Sequence, residues 1–229
     1  MTQPPVAVDD LLSRPIVLVV ALAVVSLLPF IFMTVTAFVK ISTVLQITRG
    51  AIGAQSVPSS TVIMALAGAL TLLAMAPVGQ QIAKNGLPIL TGASPRDTTA
   101  FVREGMHAAW EPMREFLKKN SSDAERVRFA EVARSARSHG PADSAGVADD
   151  DVTVLIPAFM VTQLTQAFAI GFLIYLPFLV IDLVVANVLL ALGMQMMTPT
   201  QVSLPFKLLL FVAIDGWGLL SRALVAGYS

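Results

Sequence analysis

The sequence predicts an all-α fold of two long, kinked helical hairpins with a small helical insert between them. Only 13% of the 229 residues are charged, whereas soluble domains average about 25%. Of the 30 charged residues, 21 lie within residues 84–151, so the two flanks are almost free of charge. Each flank contains two apolar runs separated by a turn with glycine and proline, which is typical of membrane segments.

This pattern divides the chain into three predicted units. Residues 1–83 contain an N-terminal tail and the first helical hairpin, and residues 84–151 form the polar helical insert. Residues 152–229 contain the second hairpin, whose turn is rich in methionine. Hydropathy therefore predicts four hydrophobic segments that cross a membrane.

The first hairpin begins with residues 15–39, which carry no charged side chain. We expect Pro29 to bend this helix, because proline removes a backbone hydrogen bond. An amphipathic pattern then extends the helix to about Thr48, and residues 49–58 (RGAIGAQSVP) form the turn. The apolar run is longer than the core of a secretory signal, about 7–15 residues, so we expect it to be retained.

The second helix of this hairpin starts where Ser59 or Ser60 provides an N-cap. It is predicted to run to about Ala83, with a kink at Pro77. Small side chains along it favour close packing between helices.

The polar insert is predicted to hold two helices. Apolar side chains recur at helical spacing through residues 98–119, where Pro112 interrupts or limits the helix. A capping box from Ser122 to Glu125 opens a second helix that ends near Arg137. Residues 138–151 are expected to be flexible and exposed.

The second hairpin begins with residues 152–181, a further run without charge. We expect Gly171 and Pro177 to break its regularity before the helix resumes to about Leu192. A turn from residue 193 to 199 follows, and the last helix is predicted from about Gln201 to Ala226, although Pro205 lies near its first turn.

Six charged residues outside the insert are candidate functional groups. Lys40 and Arg49 flank the first turn and are interpreted as cytoplasmic-side charges, which places the insert in the periplasm. Asp182 and Lys207 lie equally far from the tip of the second hairpin, so we expect an intramembrane pair. A lysine that reaches the membrane boundary is the simpler alternative. The remaining two, on one helix face, are expected to contact another subunit or a lipid headgroup: Asp215 and Arg222.

Composition argues against several function classes. The net charge is zero, so no basic surface for nucleic acid is expected. The chain has no cysteine and only two histidines, so few of the usual metal ligands are present and no metal site is predicted. We find no phosphate-binding glycine loop and no nucleophile–histidine pattern, so we predict neither an enzyme nor a cofactor.

Two long stretches carry a resemblance to a known family. One is residues 178–217 (FLVIDLVVANVLLALGMQMMTPTQVSLPFKLLLFVAIDGW), and the other is residues 27–58 (LLPFIFMTVTAFVKISTVLQITRGAIGAQSVP). They are similar, respectively, to the C-terminal half and the N-terminal hairpin of the FliP/SctR family of flagellar and type III secretion export gates. Residues 72–78 (LLAMAPV) and 156–177 extend the similarity, in the same order, along most of the chain.

The resemblance implies a core export-gate subunit in the inner membrane of a bacterium. Five copies would assemble with SctS/FliQ-like and SctT/FliR-like subunits into an oligomeric helical cone that passes unfolded substrates. A SctU/FlhB-like switch protein and a SctV/FlhA-like export protein are the further partners implied. The short chain without a cleaved signal favours the injectisome branch. The resemblance also implies that Met194, Met196 and Met197 form a channel gasket.

Two other functions are compatible with the residues alone. The chain could be a stand-alone transporter of small solutes or ions, with Asp182 and Lys207 as its coupling site. It could also be a membrane scaffold without a channel. In both cases the methionines of the turn would be ordinary filling of an apolar core.

Overall fold

The computed structural model describes residues 8–53, 58–91, 98–137, 150–194 and 196–228. Within these ranges the regular secondary structure is entirely helical, which confirms the predicted all-α class. The helices are α1 Val8–Val35, α2 Phe38–Ile52, α3 Ser60–Ala74, α4 Ala76–Thr91, α5 Thr98–Lys119, α6 Asp123–Arg137, α7 Val152–Ala191, α8 Pro199–Ala213 and α9 Gly216–Ala226.

Three pairs of consecutive helices are sharply bent at short breaks. The bend is 70° between α1 and α2, 54° between α3 and α4, and 57° between α8 and α9. Only α7 is, by itself, long and apolar enough to cross a membrane among the described helices, and four spans result if each bent pair counts as one. This arrangement agrees with the predicted kinked hairpins.

The break in the first span lies at Thr36 and Ala37, not at Pro29 as predicted, and Pro29 lies inside α1. The Thr36 hydroxyl donates to the carbonyl of Phe32 (2.6 Å) and accepts from the backbone N–H of Phe38 (3.3 Å). These side-chain bonds replace backbone bonds of the helix ladder, and so the chain turns at the threonine.

The break in the second span is close to its predicted position. It lies at Met75, and Pro77 is the second residue of α4, where a missing backbone N–H costs little. Ser59 caps α3, as one of the two predicted serines, by accepting from the backbone N–H of Val62. The helix continues to Thr91, past the predicted end at Ala83, because α4 packs against α5.

Helix α7 is continuous for 40 residues, so the predicted irregularities at Gly171 and Pro177 are wrong. A proline inside a membrane helix is tolerated when the turns on either side are held by packing. Gly171 instead provides room for Ile47 of α2, because a Cβ there would lie 2.6 Å from the Cδ1 of Ile47.

The last helix is also broken, which the prediction of a single helix from Gln201 to Ala226 missed. It starts at Pro199, ends at Ala213, and resumes at Gly216 after Asp215, whose φ of 51° is left-handed. A Cβ on Gly216 would overlap the ring of Phe211, which makes an edge-to-face contact with Trp217 (5.1 Å between centroids).

Helix α2 forms the centre of the fold. Nine of its 15 residues are buried, and it packs against α3, α7 and α8. Its apolar face joins Phe159 of α7, Ile63 of α3 and Leu224 of α9 in one core cluster. Most of the described side chains of α1 and those on the outer face of α7 remain exposed, including Leu22, Phe30 and Leu173.

The two insert helices match the predicted ranges, and α5 continues through Pro112. The predicted capping box is replaced by other bonds. The backbone N–H of Ser122 donates to the hydroxyl of Thr162 on α7 (3.0 Å), and Glu125 pairs with Arg128 (2.6 Å). Of the segment predicted to be flexible, residues 138–149 lie outside the described residues.

The close approach of α2 and α7 gives a test of this packing. Gly171→Ala should lower the free energy of unfolding by about 1–3 kcal/mol, because Ile47 has to move. Denaturant titration in detergent micelles, followed by circular dichroism, measures the change. Gly68→Ala in α3 is the matched control, because nothing lies within 4 Å of its added Cβ. It should be neutral or stabilise by up to about 1 kcal/mol; equal losses in both variants would contradict the packing.

Candidate functional site

The methionine turn, residues 192–198, connects α7 to α8 and has defined ends. Gly193 adopts a left-handed φ of 74°, and its N–H donates to the carbonyl of Leu190 (3.0 Å). The N–H of Met194 donates to the carbonyl of Leu189 (2.9 Å), which completes a Schellman-type helix end. Pro199 starts α8 at a position that suits proline.

The three methionine side chains described in this turn all face outward in the isolated chain. Met196 is 98% exposed, and Met194 and Met197 are 41% and 45% exposed. Gln195 lies outside the described residues. The turn therefore presents flexible thioether side chains at the tip of the hairpin, and their role as a gasket stays a prediction.

Asp182 of α7 and Lys207 of α8 contact each other at some distance from this turn along the two helices. The ammonium of Lys207 is 2.6 Å from one carboxylate oxygen of Asp182, and the Lys207 side chain is only 4% exposed. The hydroxyl of Ser203 donates to the other carboxylate oxygen (2.5 Å). Lys207 also donates to the backbone carbonyl of Ala51 (3.4 Å). We call these four groups the charge clamp.

The charge clamp joins three helices at one point. Asp182 comes from α7, Ser203 and Lys207 come from α8, and the carbonyl of Ala51 belongs to the last turn of α2. The final carbonyls of a helix carry partial negative charge, so a lysine there is favourable. Since Asp182 precedes the end of α7 by nine residues, the charge clamp lies about 14 Å below the methionine turn.

Lys40 lies inside the protein. It is 7% exposed, donates to the side-chain oxygen of Gln166 (3.0 Å), and lies 4.6 Å from the ring centroid of Tyr228. Such neighbours accommodate a buried ammonium by hydrogen bonding and a cation–π contact. Arg49 is half-buried in the last turn of α2.

Asp215 and Arg222 pair with each other on the surface of the bent end of the chain. Their charged atoms are 3.1 Å apart, and the side chains are 70% and 75% exposed. Five of the six charges selected from the sequence thus lie in three places: the charge clamp, the Lys40 contacts and this surface pair. The sixth, Arg49, lies near the first turn.

Several participating groups were not selected from the sequence. Ser203 lies four residues before Lys207, a spacing that places both on one helix face and would have indicated the contact. Gln163 and Gln166 are polar residues in a charge-free run, which is a usable signal. The carbonyl of Ala51 has no sequence signal. Within the described part of the chain, no group of three or more metal-ligating side chains occurs.

The bent apolar helix pairs, the apolar exposed faces and the buried ion pair define the class of α-helical membrane proteins. More specifically, the profile of the FliP family matches residues 21–224. The chain therefore belongs to the FliP family, which confirms the resemblance found in its sequence.

Named relatives are similar over nearly the whole chain. The hypersensitivity response secretion protein HrcR of Ralstonia nicotianae is 43% identical, covering 92% of this chain and 96% of the relative. The Yop proteins translocation protein R of Yersinia pestis is 42% identical, with coverages of 92% and 95%. The flagellar biosynthetic protein FliP of Bacillus subtilis is 36% identical, with coverages of 94% and 93%.

The charge clamp predicts strong energetic coupling between its two ions. Asp182→Asn alone should cost about 3–5 kcal/mol of stability, because the ammonium of Lys207 stays buried without its partner. Lys207→Met alone should cost less, because the carboxylate that it leaves unpaired is 29% exposed. The double variant should be more stable than the sum of the single losses predicts. Unfolding titrations in micelles measure the stability of the unchanged chain, the two single variants and the double variant, which together form a double-mutant cycle.

The surface pair provides the control for this cycle. Breaking it with Arg222→Met should cost about 0.2–1 kcal/mol, because both charges are exposed to solvent. If the loss in the Asp182/Lys207 double variant equals the sum of the two single losses, the two ions are not coupled.

Proposed function

We propose that the chain is a core subunit of a type III secretion export apparatus, in which it forms part of a gated channel for unfolded proteins. The family match along residues 21–224 carries this proposal, together with relatives named for secretion or translocation. No step of this function requires catalysis by the chain itself, so we assign it a structural and gating role.

The injectisome branch is favoured over the flagellar branch. Relatives named for virulence, for translocation of Yop proteins or for secretion of harpin are 40–42% identical, and the Bacillus subtilis flagellar relative is 36% identical. These names belong to the relatives, and they support a similar assignment for this chain.

Assembly is proposed to cover the apolar surface that one chain leaves open. Exposed apolar side chains continue along the described part of α1 and the outer face of α7, and a groove between α7 and α8 is lined by Val180, Val184 and Phe206. We propose a homopentamer arranged as a helical cone, with SctS/FliQ-like and SctT/FliR-like subunits. SctU/FlhB-like and SctV/FlhA-like proteins are proposed as further partners, and lipid covers the remaining surface.

The proposed location is the bacterial inner membrane, with several membrane passes. The ring of Tyr228 stacks on Phe116 of insert helix α5, so the end of α9 and the insert lie on the same side. This agrees with a periplasmic insert, residues 84–151, between a hairpin in residues 1–83 and another in residues 152–229. The turn after Arg49 is then cytoplasmic.

The methionine turns of the five copies are proposed to meet around the channel axis. Methionine is unbranched and has three rotatable side-chain bonds, so it can fill an irregular gap and yield to a passing chain. Met194, Met196 and Met197 project from a turn whose ends are fixed by backbone hydrogen bonds. The side chains of the gasket would therefore be flexible, whereas the backbone of the turn that carries them would be held in place.

Removing the thioether side chains should open the gate to small ions. We expect Met194→Ala, Met196→Ala and Met197→Ala together to raise ion leak several-fold in vesicles that contain the assembled complex. The control is Met106→Ala, which removes an exposed methionine (67%) from insert helix α5. An unchanged leak in the triple variant would remove the basis for the gasket.

The oligomeric state should distinguish the gate from a solitary transporter. Purification in mild detergent, with the SctS/FliQ-like and SctT/FliR-like subunits co-expressed, is expected to yield particles with five copies of this chain. Mass photometry and native mass spectrometry count the copies. A monomer or dimer that shows solute-dependent ion flux would instead favour a transporter based on Asp182 and Lys207.

A further inference from the structure

Tyr228 follows α9 and is buried, with 6% of its surface exposed. Its hydroxyl donates to the side-chain oxygen of Gln163 on α7 (2.5 Å). Its ring stacks on Phe116, near the end of insert helix α5, with 5.9 Å between centroids and 23° between planes. One side chain thus contacts both a hairpin helix and the polar insert.

Gln163 connects Tyr228 to the turn between α5 and α6 through hydrogen bonds. It is 1% exposed, and its side-chain nitrogen donates to the backbone carbonyl of Asn120 (2.8 Å). Because Tyr228 donates to the amide oxygen, the amide nitrogen must point to Asn120. The neighbouring Thr162 accepts from the backbone N–H of Ser122, so α7 binds both sides of the same turn.

Helix α2 also contacts the ring of Tyr228. The ammonium of Lys40 lies 4.6 Å from the ring centroid, and it is held in place by a hydrogen bond to Gln166 of α7. Tyr228 therefore touches α2, α5 and α7, which are distant from one another in sequence.

We propose that Tyr228 is a latch, a positioning residue that acts through Gln163 to hold the turn between α5 and α6 against α7. The latch fixes the direction in which the insert leaves the hairpins. Buried polar networks whose members are all satisfied specify one arrangement, whereas apolar packing alone tolerates several. This proposal concerns a single chain, and only its importance for assembly rests on the proposed function.

The test uses spin labels on the full chain in detergent micelles. The chain has no cysteine, so Lys118→Cys on α5 and Leu179→Cys on α7 introduce two unique labelling sites, both exposed. Pulsed electron paramagnetic resonance then measures the distance distribution between the two labels. A latched insert gives one narrow peak.

Tyr228→Phe removes only the hydroxyl and keeps the ring contacts, and Tyr228→Ala removes both. We expect Tyr228→Phe to broaden the distance distribution between the two labels, so that the narrow peak is lost. Tyr228→Ala should broaden this distribution further. The matched control is Tyr175→Phe, because the only other tyrosine is 41% exposed on α7; it should keep the narrow peak. If Tyr228→Ala fails to fold, the Phe variant still decides the question.

Dependence on Gln163 separates a latch from simple apolar packing. Gln163→Leu should broaden the distribution, and adding Tyr228→Phe should broaden it no further, because both act on one network. A narrow peak in Tyr228→Phe, or additive broadening in the double variant, overturns the proposal. Counting the copies of the chain in particles formed by the same variants then tests assembly separately. If the unchanged chain forms no pentamers, that result counts against the proposed function and not against the latch.

Discussion

The structure depends on an ion pair within the second hairpin whose buried lysine also binds the first hairpin, at the end of α2. Lys207 has little contact with solvent, and a lysine in that position requires an acceptor on every side. Asp182 neutralises it, Ser203 satisfies the second carboxylate oxygen, and the end of α2 supplies a carbonyl. The three helices therefore have one mutual position at which all four groups are satisfied. In an otherwise apolar protein, hydrophobic packing alone would specify that position less strictly.

The helix breaks show what local sequence could and could not predict. Composition and periodicity predicted the fold class and the insert helices, because these features are local. Proline was a poor guide to the breaks: Pro29 and Pro177 lie inside helices, whereas Thr36 and Asp215 occupy two of the bends. A threonine that hydrogen-bonds to backbone groups, or an aspartate that adopts a left-handed φ before a glycine, depends on local geometry that a propensity scale does not contain.

The candidate site shows the same division between local and long-range information. Counting residues along one hairpin was enough to place Asp182 opposite Lys207, because both belong to consecutive helices. The carbonyl of Ala51 and the interior position of Lys40 depend on packing between helices far apart in sequence. Positive charge was interpreted as a sign of membrane orientation, but Lys40 has internal partners in Gln166 and Tyr228. Such a lysine carries less information about topology than an exposed one.

In this arrangement the charge clamp restrains the helices that carry the methionine turn, whereas the methionine side chains keep their rotational freedom. In the proposed gate, moving the backbone of the methionine turn as a whole would shift α7 against α8 and disturb the charge clamp, at a cost of about 3–5 kcal/mol if the pair breaks. Rotating a methionine side chain crosses only ordinary torsional barriers. The lower-energy route to a wider opening is therefore side-chain rotation at Met194, Met196 and Met197. A passing chain would displace thioethers while the helices that carry them keep their positions.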